Sequence, residues 1–432
     1  MYTLIGPALM IDMRAVFAFR GKRVESLERI VMKFGGTSVA NEERIERAAS
    51  LILAEVESGK EVAVVVSAMG KTTDQLLAMA NDIHPGATSR ELDMLLTTGE
   101  QVTASLLAMA IQAKGVQAKS YTGWQAGIQT DSLHSKARIE EVKAGKVMST
   151  LKSGGVAVIT GFQGIDETGE ITTLGRGGSD TSAVAVAIAI GADQCDIYTD
   201  VEGVFTTDPR VIQNASKLTE ISYDEMLELA NLGAGVLHPR AIEFAKNHQM
   251  PLRVRPAHMA GIGTVIKEEV EMESNLIVRG VAFEEDIVRI TIMYDTPYNG
   301  SLANVFTALA EEQVNVDIIV QTIMEGEQPS VSFSIKNEDF AKAMNVLEMN
   351  KETLGYKRAD FEVGLAKVSI VGSGMVSNPG VAANMFDTLR LASIPIKMVS
   401  TSEIKVSVVI PTMHMKEAVA VLHNTFALEQ VH

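Results

Sequence analysis

From about residue 28 to about residue 260, short apolar runs alternate with longer stretches whose apolar residues recur at helical spacing. The runs RIVMKF, EVAVVVS, VQAKSYT, GVAVITGF and DIYTD predict strands, and residues 41–58, 91–114 and 223–231 predict helices. Such alternation predicts an α/β sandwich around a largely parallel sheet. One segment has two periodicities. After "TLGRGGSD" (173–180), Val184, Val186, Ile188 and Ile190 alternate with alanines, as on a strand. The alternating partners are themselves small and apolar, Ser179 and Asp180 are good N-cap residues, and Gly191 is a good stop. The segment therefore predicts a helix buried on most sides.

After about residue 270 the texture changes and the chain repeats itself. "GSLANVFTAL" from Gly300 aligns with "GVAANMFDTL" from Gly380, pairing Asn304 with Asn384, Phe306 with Phe386 and Leu309 with Leu389. The same offset pairs Val314 with Ile394 and Val316 with Ile396. Each copy reads strand, glycine loop, helix, strand: VRITIMYD and AKVSIVGS lead, VNVDIIVQT and IPIKMVSTS follow. Two copies of one unit predict paired small modules rather than a solenoid.

Composition narrows the functional classes. The 432 residues suffice for two or three domains, and 46% hydrophobic content excludes a disordered chain. Asp and Glu number 54 against 38 Lys and Arg, a net charge of −16. That balance argues against a general nucleic-acid binder and against a basic membrane-surface protein. Any phosphate site must be locally basic or built from backbone N–H groups. The single cysteine, Cys195, has no zinc-type cluster around it and reads as a small buried hydrophobe, which makes the cytoplasm the simplest compartment. Asp12 and Arg14 interrupt the apolar opening, so residues 1–26 read as an extension and not as a signal peptide. No later segment has about 18 or more uninterrupted apolar residues.

Several stretches carry candidate chemistry. In "TLGRGGSD", Gly177 and Gly178 let a loop approach a ligand, Ser179 and Asp180 open a helix whose free N–H groups suit an anion, and Arg176 offers a bidentate grip. An ordinary glycine turn before a capped helix explains the same residues. "MKFGGTS" (32–38) puts Lys33 at a strand end before two glycines, where an ammonium can neutralise phosphates, or where it is a surface lysine before a turn. The lysine precedes the glycines, so this is not a Walker A loop. In "VSAMGKTTD" (66–74), Ser67 and Thr73 could bond a carboxylate or serve the turn. "TTGEQ" sets Glu100 in a helical stretch, where it could meet an ammonium or simply be solvated. "YTDVEGVFTTDPR" (198–210) is a strand and a turn-rich loop that could frame a nucleotide or be an exposed loop. His238 in "VLHPR" reads as structural. "VGSGMVS" (371–377) lacks the third glycine of a dinucleotide fingerprint and lies inside the repeat, so a Rossmann reading is rejected.

Taken together and in this order, KFGGTS, VSAMG.TTD, TTGE, TLGRGGSD, TDVEGVFTTDPR and LHPR resemble the aspartokinases of the amino-acid kinase superfamily. The repeat resembles their tandem ACT modules, and the resemblance runs from about residue 28 to the end, closest to the monofunctional Gram-positive type. It implies an α/β/α kinase sandwich over 28–268, after an extension 1–27, then two ferredoxin-like α+β ACT modules over 269–362 and 363–432 that interleave. It implies phosphorylation of the side-chain carboxylate of L-aspartate by ATP with Mg²⁺ carried on the nucleotide, the first step towards lysine (through diaminopimelate), threonine and methionine.

On the matching positions, Lys33 and Asp180 would be catalytic. Ser67, Thr73, Glu100, Arg176 and Ser179 would bind aspartate. Lys33, Phe34, Gly35, Gly36, Thr199, Asp200, Phe205 and Arg210 would bind ATP. Gly300, Leu302, Asn315, Asp317, Gln321, Ile396 and Ser402 would contact an inhibitory amino acid, lysine or with it threonine, in a homo-oligomer joined through the ACT modules. Asp317 and Gln321, two residues either side of Ile319, are expected to share a strand face. An internal start near Met272 would give a separate ACT-only chain. Two positions depart from the family. "GAGVLHP" has Gly235 where many members have lysine, so Lys33 with Mg²⁺ suffices or Arg210 or Arg240 substitutes. "PYNG" has Pro297 where an acid is common. The competing readings are another amino-acid kinase, for glutamate or acetylglutamate, and a non-catalytic amino-acid sensor.

Overall fold

The computed structural model describes residues 27–233, 235–259, 261–268, 277–295, 301–323 and 329–430. The extension 1–26, Met272, Pro297 and Gly300 lie outside them.

The first part is built on an eight-stranded sheet in the order Glu220–Ser222, Thr264–Lys267, Leu252–Pro256, Gln194–Thr199, Arg29–Phe34, Glu61–Val66, Val156–Thr160, Ala118–Tyr121. Every neighbouring pair is parallel except Leu252–Pro256 with Thr264–Lys267. The central runs are apolar almost without interruption because both faces of the sheet are covered. Ile30, Met32 and Phe34 point to one face, against the helices Glu42–Glu57 and Thr98–Ala113. Val31, Ala63 and Val65 point to the other, against the helices Gly145–Lys152, Gly178–Ile190 and Pro239–Asn247. This is the α/β/α sandwich. A four-stranded sheet, Ile139–Val142, Ile128–Thr130, Gln163–Ile165 and Ile171–Thr173, leads into the Arg176 loop.

Residues 178–190 are helical, as expected, and end at Gly191 with φ 63°. Ser179 and Asp180 are not its caps. Gly177 holds the N-cap position at φ 72°, and the helix begins at Gly178, so both polar residues lie inside the first turn. A Cβ at Gly177 would come within 2.1 Å of the His238 ring, so only glycine fits there. The expected helix 91–114 is two helices, Ser89–Leu96 and Thr98–Ala113. At the junction the Thr97 carbonyl accepts a 3.0 Å bond from Gln163 Nε2. Together they are long and apolar enough to cross a membrane, but half of the apolar window is buried inside the protein, as in a core helix.

The last part is one six-stranded antiparallel sheet in the order Ile319–Thr322, Ser330–Lys336, Gly280–Met293, Arg358–Val371, Lys405–Pro411, Met398–Thr401. The repeat is visible in its helices: Ser301–Glu311 and Val381–Leu391 stand at the offset of the two aligned segments. The leading strands are longer than expected, at 14 residues each, because each runs through both halves of the sheet. Val278 and Val281 thus pack in the core of the second repeat, while Val288, Ile290 and Ile292 pack in that of the first. The following strand is shorter than expected. It starts at Ile319, which leaves Asp317 outside it and removes the argument that Asp317 and Gln321 share a strand face.

Candidate active site

Lys33 sits on the strand Arg29–Phe34, Ser67 directly after Glu61–Val66, Glu100 in the first turn of Thr98–Ala113, and Asp180 in the first turn of Gly178–Ile190. The C-terminal ends of parallel strands are where open α/β sheets bind ligands. One cavity of about 320 Å³ is lined by Lys33, Gly36, Ser67, Thr73, Glu100, Arg176, Ser179 and Asp180 among others. Every residue expected to be catalytic or to bind aspartate is therefore brought together. Gly36 is required by close approach, since a Cβ there would lie 2.8 Å from the Ala68 carbonyl oxygen. Lys33 Nζ lies 2.6 Å from Asp180 Oδ1. Arg176 is exposed at the cavity, between Gly175 and Gly177 at φ 75° and 72°.

Glu100 is not a solvated acid. It is 3% exposed; Oε1 accepts a 3.1 Å bond from the Ala68 amide, and Oε2 is buried with no hydrogen-bond partner among the described residues. Burial pushes its pKa up to about 8, against weaker opposition from backbone N–H groups. A buried carboxyl with one unmet oxygen in a cavity is poised for a cationic ligand.

A second cavity, about 480 Å³, is lined by Thr199, Asp200, Phe205 and Arg210, together with Gly235 and, from the repeat sheet, Val281, Ala282 and Phe283. Four of the expected ATP residues therefore share one site. The Phe34 side chain does not face a ligand as expected, and the Gly35 N–H is already used within the fold. Phe34 is fully buried, its ring stacked on Tyr198 at 4.7 Å, because strand alternation turns it into the core. Gly35 donates its N–H to the Tyr198 carbonyl at 3.3 Å and lies beside the Lys33 ammonium. Arg240 is not a substitute for the missing lysine: its guanidinium donates to the carbonyls of Leu174, at 2.7 Å, and Ala137, at 3.1 Å. Arg210 lines the cavity and is paired with Asp208 at 2.6 Å. His238 accepts a 3.3 Å bond from the Arg240 amide as a helix cap, and burial holds its pKa down. Cys195 is fully buried, and burial pushes its thiol well up.

The cavity-lining Val281–Phe283 segment was not expected. The leading strand of the first repeat reads from about residue 288 by its apolar pattern, and nothing in the alternation marks 281–283 as ligand-facing. "VGSGMVS" also has a place: the N–H and hydroxyl of Ser373 donate to Glu225 Oε1 at 2.8 and 2.7 Å, tying the repeat sheet to the α/β/α part. Of the effector positions, Leu302 and Ile396 are half-buried, and Asn315, Asp317, Gln321 and Ser402 are exposed. Asp317 is ion-paired with the buried Lys367, whose ammonium also meets Glu284 at 2.8 Å.

The fold and site define an amino-acid kinase carrying a regulatory ACT pair. Residues 28–256 match the amino acid kinase family model, and residues 298–350 and 368–426 match an ACT domain model. An aspartokinase of Bacillus sp. (strain MGA3) is 58% identical over 399 residues, covering 92% of this chain and 97% of that protein. Aspartokinase 2 of Bacillus subtilis (strain 168) is 57% identical over 401 residues, covering 93% and 98%. The crystal structure of E. coli aspartokinase III with aspartate and ADP, called R-state, superposes with a TM-score of 0.77 at 26% identity, covering 92% of this chain and 99% of that one. The same E. coli enzyme with lysine and aspartate, called T-state, gives 0.75.

The chain belongs to the aspartokinase family. It transfers the γ-phosphoryl group of ATP to the side-chain carboxylate of L-aspartate, giving 4-phospho-L-aspartate, and its ACT domains make it an allosterically regulated enzyme of amino-acid biosynthesis.

Proposed function

We propose that the cavity of about 320 Å³ binds L-aspartate and the γ-phosphate, and that the cavity of about 480 Å³ binds the rest of the nucleotide. The observation that carries this is the buried, unpartnered Oε2 of Glu100 in a cavity shared with Arg176, Lys33 and Asp180. Glu100 takes the substrate ammonium and Arg176 the α-carboxylate, with Ser67, Thr73 and Ser179 as hydroxyl partners. The side-chain carboxylate is then left facing Lys33. One of its oxygens attacks the γ-phosphorus, the bond from that phosphorus to the β–γ bridging oxygen breaks, and ADP leaves. No protein nucleophile is needed; catalysis is positioning and neutralisation of charge on the transferred group. Lys33 supplies the positive charge, and Asp180 holds Lys33 in place before the nucleotide arrives. Mg²⁺ comes with the ATP phosphates, as is usual for this ion, and Asp180 is the carboxylate placed to meet it or its water. Thr199, Asp200 and Phe205 frame the nucleotide, with Arg210 at its rim in place of the lysine that Gly235 lacks.

The kinase part is taken as residues 28–268 and the ACT modules as 269–362 and 363–432, interleaved through the two long strands. The modules bind lysine, or lysine with threonine, and join copies of the chain; the lysine complex of the E. coli relative supports the choice of effector. A shorter chain begun at Met272 would appear as a second, ACT-sized band. The enzyme works in the cytoplasm, where ATP and aspartate are at hand. Alanine substitution of Glu100 or Arg176 tests the assignment: the aspartate KM should rise by more than tenfold while the ATP KM changes less than about threefold, and equal effects on both would contradict it.

A further inference from the structure

Asp93 lines neither cavity, yet it is a fully buried carboxylate, on the helix Ser89–Leu96. Burying such a group is costly unless its oxygens are fully hydrogen-bonded. Here they are. The Ser135 amide lies 3.0 Å from Oδ2 and 3.2 Å from Oδ1, and the Ser135 hydroxyl 3.3 Å from Oδ1. The Thr173 amide donates at 3.1 Å and its hydroxyl at 2.6 Å, while His134 Nδ1 lies 2.9 Å from Oδ2. All three partners come from outside the helix, from two segments that meet each other. The Ala137 amide donates to the Thr173 carbonyl at 2.9 Å, and a Cβ at Gly175 would come within 2.9 Å of the Ser135 carbonyl oxygen. From the other side Arg240 grips the Leu174 and Ala137 carbonyls.

The place of this cluster gives it a role. Thr173 is three residues before Arg176. Asp93 is seven residues, about two helical turns, before Glu100 on the adjoining helix. One side chain thus ties the arm carrying Glu100 to the strand that leads into the Arg176 loop. Arg176 itself is exposed and flanked by two glycines, so its position depends on how the strand before it is held. We propose that Asp93 is a positioning residue for the known reaction: through Thr173 and Ser135 it fixes Arg176 relative to Glu100, and so sets the affinity for aspartate without touching it. This rests on the assignment of Glu100 and Arg176 to the substrate backbone.

The test uses the full-length enzyme with Asp93→Asn, Thr173→Val, Thr173→Ser and Arg176→Ala, with aspartate and ATP KM values and thermal melts for each. Asp93→Asn and Thr173→Val are expected to raise the aspartate KM about tenfold and leave the ATP KM within about twofold, while Thr173→Ser, which keeps the hydroxyl, stays near wild type. Should Asp93→Asn not fold, the valine and serine variants decide. A Thr173→Val enzyme with a lower melting temperature but an unchanged aspartate KM would overturn the proposal, as would equal changes in both KM values. If Arg176→Ala also leaves the aspartate KM unchanged, it is the substrate assignment that fails; if Arg176→Ala raises it and Thr173→Val does not, only the positioning role fails.

Discussion

The ammonium of Lys33 and the carboxylate of Asp180 meet at 2.6 Å at the C-terminal end of the catalytic sheet, with side-chain exposures of 11% and 12%. The two come from different elements, a strand and the helix after the glycine loop, and both line the cavity of about 320 Å³. On the proposed reading, phosphoryl oxygens would replace Asp180 as partners of Lys33 when the nucleotide enters, so that the charge is used where it develops. Lys33→Ala should therefore lower kcat by ~100-fold or more, about 2.7 kcal/mol of barrier. Steady-state kinetics on the folded variant check this, and a near-normal kcat would contradict it.

Glu100 predicts a pH dependence. Burial raises its pKa to about 8, from an unperturbed 4.5. An ammonium needs the carboxylate, so kcat/KM for aspartate should rise with pH up to about 8, and Glu100→Gln should lower and flatten that profile. Glu100 therefore stays protonated in the folded enzyme between about 4.5 and about 8, where the same group in the unfolded chain has lost its proton. The enzyme's stability should fall as pH rises through that window, and the glutamine variant should lose this slope. An unaltered pH profile in Glu100→Gln would sink the assignment.

Gly235 lines the cavity of about 480 Å³ proposed for the nucleotide, at φ 47°. A lysine there would add a cation at the rim while paying for a left-handed backbone. Gly235→Lys should lower the ATP KM by about threefold at low ionic strength, an effect the size of an exposed ion pair. An ATP KM unchanged at low salt would count against the placement.

Much of the architecture was legible because burial on both faces writes itself into the strands. RIVMKF was read to the residue as Arg29–Phe34, and 223–231 to the residue as the helix Tyr223–Asn231. The helix 178–190 was legible despite its strand-like alternation, since small apolar residues on every side suit an enclosed helix. Its cap differs from the expectation: the rule that favours Ser and Asp at a helix start gives way to a left-handed glycine pressed on His238. The residues that line the cavity of about 320 Å³ are legible from family motifs. Asp93 was not, because a buried acid on an amphipathic helix looks in sequence like any solvated one. Val281–Phe283 are not legible for a related reason: a wall contributed by another part of the chain leaves no local pattern.

Asp317 bridges to Lys367, and Lys367 to Glu284, so an effector ammonium drawn to Asp317 would compete with a cation already tied into both long strands of the ACT sheet. A ligand shifts an equilibrium only by its differential affinity for the two states, and coupling of ~1–3 kcal/mol is ordinary. Asp317→Ala should raise the half-inhibiting lysine concentration about tenfold and leave the uninhibited kcat within about twofold. Titration with lysine and threonine, singly and together, checks this, and unchanged inhibition in the variant would contradict it.

The most direct measurement is to trap the product. With ATP, Mg²⁺ and hydroxylamine, an acyl phosphate is captured as a hydroxamate. The cavity that holds Glu100, Arg176 and Lys33 should yield hydroxamate from L-aspartate and little from L-glutamate or N-acetyl-L-glutamate, which has no ammonium for Glu100 to meet. Equal hydroxamate from N-acetyl-L-glutamate, or none from aspartate, would contradict the account.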